Sequence, residues 1–399
     1  MKRIYIITVV CVLLAILLVQ GEKKFISSVK SEKEHMKVGF LYVGDSCDTY
    51  TNNFIKAQKA IENEYGDRVI PVAKYNVAEG TEEKYLRELV DEGCELIFAT
   101  SYGYGETVKA VAAEYPNIQF CMATGDNANT DPVLPNFHNY MGEIYQGRYV
   151  TGVVAGMKLA ELIENGEIKP SEAKIGYVGA FPYAEVISGY TAFFLGVRSV
   201  VPDAEMTVIY TNSWGDYDLE KHVTERLIKE GCVIISQHSD TAGPAVACEE
   251  LKKSYVSYHV GYNQSMTDVA PTTSLISSRI NWQYYMVAAT GAVLNGKRIE
   301  SNKKANIIGN DMSGGFRENW VQLLKLNETI AAPGTQAKID ELVRKLSTEK
   351  FLVFQGDYIG VDPFNPEDTI DLNNGYAENS KVSAPSFHYV LQDVITIEE

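Results

Sequence analysis

Five aromatic side chains sit where apolar runs give way to polar or glycine-containing turns: Tyr50, Tyr102, Phe181, Trp214 and Trp282. Six polar side chains share those turns or neighbouring ones: Ser101, Glu185, His238, Asp240, Asn263 and Asn281. A planar heterocycle needs flat apolar faces above and below it and a few placed polar groups at its edge. These residues supply both. Trp214, within Asn212-Ser213-Trp214-Gly215-Asp216, is the ring least suited to a core, because its neighbours are polar. Core packing is the plain alternative for each ring, and helix capping is the alternative for Glu185 and Asp240. His238 beside Asp240 raises acid–base catalysis, but no nucleophile motif accompanies the pair, and no catalytic residue is assigned. Gly103-Tyr104-Gly105 lacks the third glycine and the lysine of a phosphate loop. The cysteine spacing fits no metal template, so neither metal nor cofactor is expected.

The elements that must position these residues come in two copies. Residues 89–102 read LVDEGCELIFATSY and residues 227–240 read LIKEGCVIISQHSD. Each has a helix end, a Glu-Gly-Cys stop, a continuous apolar run and a small polar tail. Gly93 and Gly231 stand where a helix ends in a left-handed turn. An unbroken apolar run is how a strand buried on both faces of a parallel sheet reads. The glycines lie 138 residues apart, Lys37 and Lys174 of two further strands lie 137 apart, and Asn76 and Asn212 lie 136 apart. This near-constant offset predicts two copies of one βα-repeating lobe. Ligands of open α/β sheets sit outside the carboxyl ends of the strands, so both polar tails are expected in one shared cleft.

The predicted division is residues 37–140 plus 282–310 for the first lobe and 141–281 plus 311–399 for the second, with three crossings forming a hinge. A chain of 399 residues has room for two such cores. A formal charge of −16 argues against a nucleic-acid partner. Lys2 and Arg3 precede an apolar run from Ile4 to Val19, which reads as a signal segment over 1–21, cleaved after Gly21 or retained as an anchor. Cys11 in that run lacks the small residue before it that lipidation wants. Residues 22–36 read as a polar tether. Cys47, Cys94, Cys121, Cys232 and Cys248 are expected to be mostly buried free thiols.

Taken together, FLYVGD, LIFATSYGYGETVKAVAAEYPNIQF, EIYQGRYVTGVVAG from Glu143, IGYVGAFPYAEVISGYTAFFLGVRSVVPDA, TNSWGD, IISQHSDT and GYNQSMTDVAP resemble the basic membrane protein family over residues 37–325. The family comprises substrate-binding proteins of ABC importers, similar to purine nucleoside receptor lipoproteins. The resemblance implies a type I periplasmic-binding-protein fold of two Rossmann-like lobes, a purine nucleoside or base as ligand, an ABC permease as partner, and a place outside the cytoplasmic membrane. Asn263 stands where many relatives have aspartate, and Cys47-Asp48 where relatives often carry Gly-Trp. A surface sensor of the same fold and a nucleoside-metabolising enzyme are the alternative readings.

Overall fold

The computed structural model describes residues 34–301, 304–348 and 351–398. The expected signal segment 1–21, with Cys11, and most of the tether lie outside them. Among the described residues no helix is long and apolar enough to cross a membrane.

The first five strands are β1 (Met36–Leu41), β2 (Val69–Lys74), β3 (Leu96–Ala99), β4 (Gln119–Ala123) and β5 (Phe137–Gly142). The next five are β6 (Lys174–Gly179), β7 (Glu205–Tyr210), β8 (Ile234–His238), β9 (Tyr258–Tyr262) and β10 (Ser274–Ile280). Then come β11 (Asn306–Ile308), β12 (Asp311–Gly314) and β13 (Val321–Leu323). Last are β14 (Ile359–Asp362), β15 (Asn365–Asp371), β16 (Val390–Leu391) and β17 (Ile395–Glu398).

These strands form two seven-stranded sheets and one small one. The first sheet runs β2-β1-β3-β4-β5-β12-β11, and the second runs β17-β7-β6-β8-β9-β10-β13. In the two large sheets pairing is parallel except for β11 on β12 and β13 on β10, whereas the small sheet is antiparallel. Five strands of each sheet share one order, β2-β1-β3-β4-β5 against β7-β6-β8-β9-β10, as the offset predicts, while the strands added at the edges differ. Gly93 and Gly231 have φ of 85° and 97°, the left-handed stops expected of them. Asn76 and Asn212, at equivalent strand ends, are left-handed too, with φ of 53° and 54°. All residues of β3 and of β8 are buried, because helices cover both faces of each sheet.

The chain crosses between sheets three times. It leaves the first sheet after β5, returns after β10 and leaves again after β12. Since β12 pairs with β5, the last crossing lies between Gly314 and Val321, a few residues beyond the boundary expected at 310. Helix Tyr145–Glu164 begins the second lobe and packs along helix Ala184–Arg198. Their contact is close because Gly152 faces the carbonyl of Phe193 and Gly196 faces that of Tyr149.

Beyond the last crossing, helix Thr335–Thr348 packs on helix Tyr145–Glu164. Strands β14, β15 and β16 form the small sheet, and β17 extends the second large sheet parallel to β7. Cys94, Cys121, Cys232 and Cys248 are buried free thiols, but Cys47 is exposed. Cys47 lies in the loop after β1, where its N–H is held by the Asp45 carboxylate at 2.9 Å, so its side chain has no core to enter.

Candidate functional site

A cavity of about 210 Å³ lies between the carboxyl ends of the two sheets. The first lobe contributes Gly44, Asp48 and Tyr50 after β1, Ser101 and Tyr102 after β3, and Thr124 after β4. The second contributes Glu185 after β6, Trp214 after β7, His238 and Asp240 from the end of β8, and Tyr262 from the end of β9. Parallel strands deliver these side chains to one place because their carboxyl ends all point the same way.

Seven of the expected residues line this cavity: Tyr50, Ser101, Tyr102, Glu185, Trp214, His238 and Asp240. Tyr50 is oriented by its hydroxyl, which donates to the Thr100 carbonyl at 2.7 Å. Ser101 commits its hydroxyl proton to Glu79 at 2.6 Å. Trp214 is half-buried, and its ring meets Phe181 edge-on at 5.3 Å and Tyr183 at 6.1 Å.

Four expected residues stand elsewhere. Phe181 stacks on Tyr183 at 5.1 Å and backs Trp214 without lining the cavity. Asn263 is buried behind Asp240 and donates to its carboxyl at 3.1 Å. Asn281 donates to the Asn319 carbonyl at 3.3 Å. Trp282 is a core residue of the first lobe, 2 % exposed and stacked on Phe54 at 4.4 Å. It begins the helix that follows the second crossing, and that helix packs against helix Thr49–Tyr65.

Six cavity residues were not expected, and besides Val43, Gly44 and Gly215 they are Asp48, Thr124 and Tyr262. Asp48 was legible as the N-cap of helix Thr49–Tyr65, since its carboxylate accepts from the Thr51 N–H at 2.5 Å. Thr124 has φ of 61°, a left-handed conformation rare for a β-branched residue, and no sequence signal announces it. Tyr262 lies over the buried guanidinium of Arg148, 3.8 Å from the ring centre. Among the described residues the three guanidinium nitrogens have no hydrogen-bond partner, and the ring face is the contact that offsets their burial.

The site is rich in carboxyls. Burial holds the Asp240 carboxyl well above the usual range, and the charges of Asp48, Glu220 and Glu185 push the same way. Burial also raises Asp48. His238 is pushed down by burial and so stays neutral, with Nε2 at 3.4 Å from Glu185. An anionic ligand is disfavoured because three carboxyls, Asp48, Glu185 and Asp240, line the cavity and, among the described residues, no lysine or arginine does. Behind the wall, Glu220 accepts from Ser239 and Thr241 hydroxyls, each at 2.7 Å, and burial pushes it up to about 7 from an ordinary 4.5. A carboxyl raised by folding lends stability that is complete below about pH 4.5 and is lost as pH rises through about 7. Glu220→Gln removes that titration. Urea unfolding should show the wild type losing on the order of 1–3 kcal/mol between those pH values and the variant losing less. Equal pH profiles would refute the assignment.

The lobes also touch beside the cavity. Thr49 Oγ1 donates to the Asp240 carbonyl at 2.8 Å, Asn53 Nδ2 to the Asn263 carbonyl at 3.1 Å, and Lys56 Nζ to Gln264 at 2.7 Å. The first turns of helix Thr49–Tyr65 therefore lean on the strand ends of the second lobe.

Comparison with known proteins agrees with this architecture. A family model described as ABC transporter substrate-binding protein PnrA-like (Bmp) matches residues 35–311. A purine-binding protein of Brucella abortus is 35% identical over 66% of this chain and 70% of its own length. A Haloferax volcanii protein, provisionally named as an ABC transporter glucose-binding protein, is 30% identical over 63% of this chain and 59% of its own. Among solved structures, an ABC transporter solute-binding protein from Aeropyrum pernix superimposes with a TM-score of 0.64. It is 16% identical and covers 78% of this chain and 91% of that one. The fold is thus the type I arrangement expected from the motifs.

Proposed function

We propose a function from one premise: the chain belongs to the Bmp family, the PnrA-like substrate-binding proteins of ABC transporters. It binds a purine, as the free base or a nucleoside, in the cleft between its lobes. It does so without turning the ligand over, and the closed form delivers the ligand to an ABC permease on the outer face of the cytoplasmic membrane. The observation that carries this reading is the placement of rings from both lobes on one cavity: Tyr50 and Tyr102 from the first, Trp214 from the second. A heterocycle between them has its faces covered, while Asp240, Glu185 and His238 meet its edge. The cavity, at about 210 Å³, lies below the range of about 300–1,000 Å³ usual for larger ligands, which suits a bicyclic ring. The Brucella relative, named for purine binding, supports the same class.

Mass spectrometry of the ligand released from purified protein, followed by calorimetry with purines and sugars, tests the proposal. One-to-one purine binding with no product formed is expected. Sugar binding without purine binding would overturn it, and the name of the Haloferax relative makes glucose the sugar to include.

A further inference from the structure

Residues 376–388 touch both lobes beside the cleft, and the family model, which ends at residue 311, does not reach them. Their anchorage is in the second lobe. Phe387 is fully buried in that lobe's core and stacks on Phe354 at 4.4 Å. Glu378 is buried as well, and its carboxylate accepts from the Ser386 and Phe387 N–H groups and from Ser188 Oγ at 3.0 Å. Ser188 belongs to the helix that carries Glu185 into the ligand cavity.

The same segment docks on the first lobe. The Ser383 N–H donates to Asp311 Oδ2 at 3.0 Å, and Asn306 Nδ2 donates to the Asn379 carbonyl at 3.3 Å. Ala384 is buried in the first lobe's core. Only Pro385 and Ser386 separate the Ala384 side chain, held by the first lobe, from the Phe387 side chain, held by the second. The segment is a strap.

Between these anchors, Ala384 and Pro385 wall a side chamber of about 70 Å³. It shares Tyr102, Thr124 and Glu185 with the main cavity, so the two adjoin. Its other walls include Asp126 and Tyr183, and the Tyr102 and Tyr183 rings face each other at 5.9 Å. The chamber therefore offers two carboxylates, Asp126 and Glu185, with aromatic and proline surface around them. Carboxylates accept hydrogen bonds and repel anions.

We propose that Ser383–Phe387 is a specificity-determining part of the ligand site, closing a chamber for a hydrogen-bond-donating substituent on the bound ring. The proposal rests on the purine reading above and adds a second contact region to it. The donors are hydroxyls, as on a sugar, or a charged amine. Asp126 and Glu185 receive them, while the strap limits how large the substituent is. The strap bonds to both lobes, so a substituent seated beneath it is enclosed on one side by a segment that both lobes hold.

Calorimetry on the whole protein tests this with four probes: a purine base, its ribonucleoside, its 2′,3′-dideoxynucleoside and the base bearing a two-carbon amine. Pro385→Trp fills the chamber, and Asp126→Asn removes an acceptor at an exposed position without adding bulk. In the wild type the ribonucleoside or the amine derivative should bind about tenfold or more tighter than the base, and the dideoxynucleoside should lose that advantage. Which of the two binds tighter identifies the donor. Both variants should shrink the advantage. A wild type that binds base, ribonucleoside and amine alike overturns the proposal, as does an advantage that persists in both folded variants. Binding of no purine at all would overturn the underlying reading together with this one.

Discussion

Trp214→Ala should weaken purine binding by about 1–3 kcal/mol, the scale of base–aromatic stacking, while leaving the fold intact. The ring is half-buried and stands on Phe181 and Tyr183 at the cleft wall. Its removal takes away one face of the site but leaves the second lobe's central strands untouched. Tyr50 and Tyr102 approach from the other lobe, so ligand binding and lobe closure share one contact. Calorimetry and thermal melting separate the possibilities. A large fall in melting temperature with unchanged affinity would make Trp214 a packing residue. Trp214 fluorescence should also respond to ligand in the wild type and the response should diminish in the variant.

Gly152→Ala poses a contest between two effects of opposite sign. Helix propensity favours alanine over glycine by about 1 kcal/mol within a helix. Packing opposes it, because a Cβ at residue 152 would overlap the Phe193 carbonyl oxygen on the neighbouring helix. That oxygen belongs to the backbone and cannot rotate away, so the helices must part. Overpacking of this kind costs about 3 kcal/mol at the upper end of its usual range. Packing therefore wins, and urea unfolding should show a net loss of about 2 kcal/mol. Gly196→Ala should behave similarly, since its Cβ would meet the Tyr149 carbonyl. A variant as stable as the wild type would mean that the helix pair yields without cost.

Much of this architecture was legible because local chemistry and global fold agree. Gly93 and Gly231 stop helices in the left-handed region that their sequence setting demands, and the buried runs that follow them became β3 and β8. Residues at strand ends were legible as site candidates for the same reason: strand direction fixes where a carboxyl-end loop points. Trp282 shows the limit of that rule. It follows a strand and a polar residue, as Trp214 does, yet the chain changes lobes there and the ring enters the core beside Phe54. Asn263 was placed in the right region but one layer back, supporting Asp240. Tyr262 stands beside Asn263 at the expected strand end but was passed over, because its contact depends on Arg148 arriving from a distant helix. The strap was illegible because nothing in residues 376–388 announces two separate docking partners.

The position of β17 has a consequence for how the protein comes into being. Ile395 pairs with Met206, about 190 residues earlier in the chain. At ordinary synthesis rates of about 5–20 residues per second, β7 waits about 10–40 s for its outer neighbour. During that interval one side of β7 is an open edge, with unpaired backbone groups that template pairing by other strands. Neither lobe finishes its sheet as it emerges, because β5 of the first lobe likewise waits about 170 residues for β12, Asp311 pairing with Asn139. A premature stop ahead of Ile395 would leave that edge open for the lifetime of the molecule and make association between truncated copies the expected outcome.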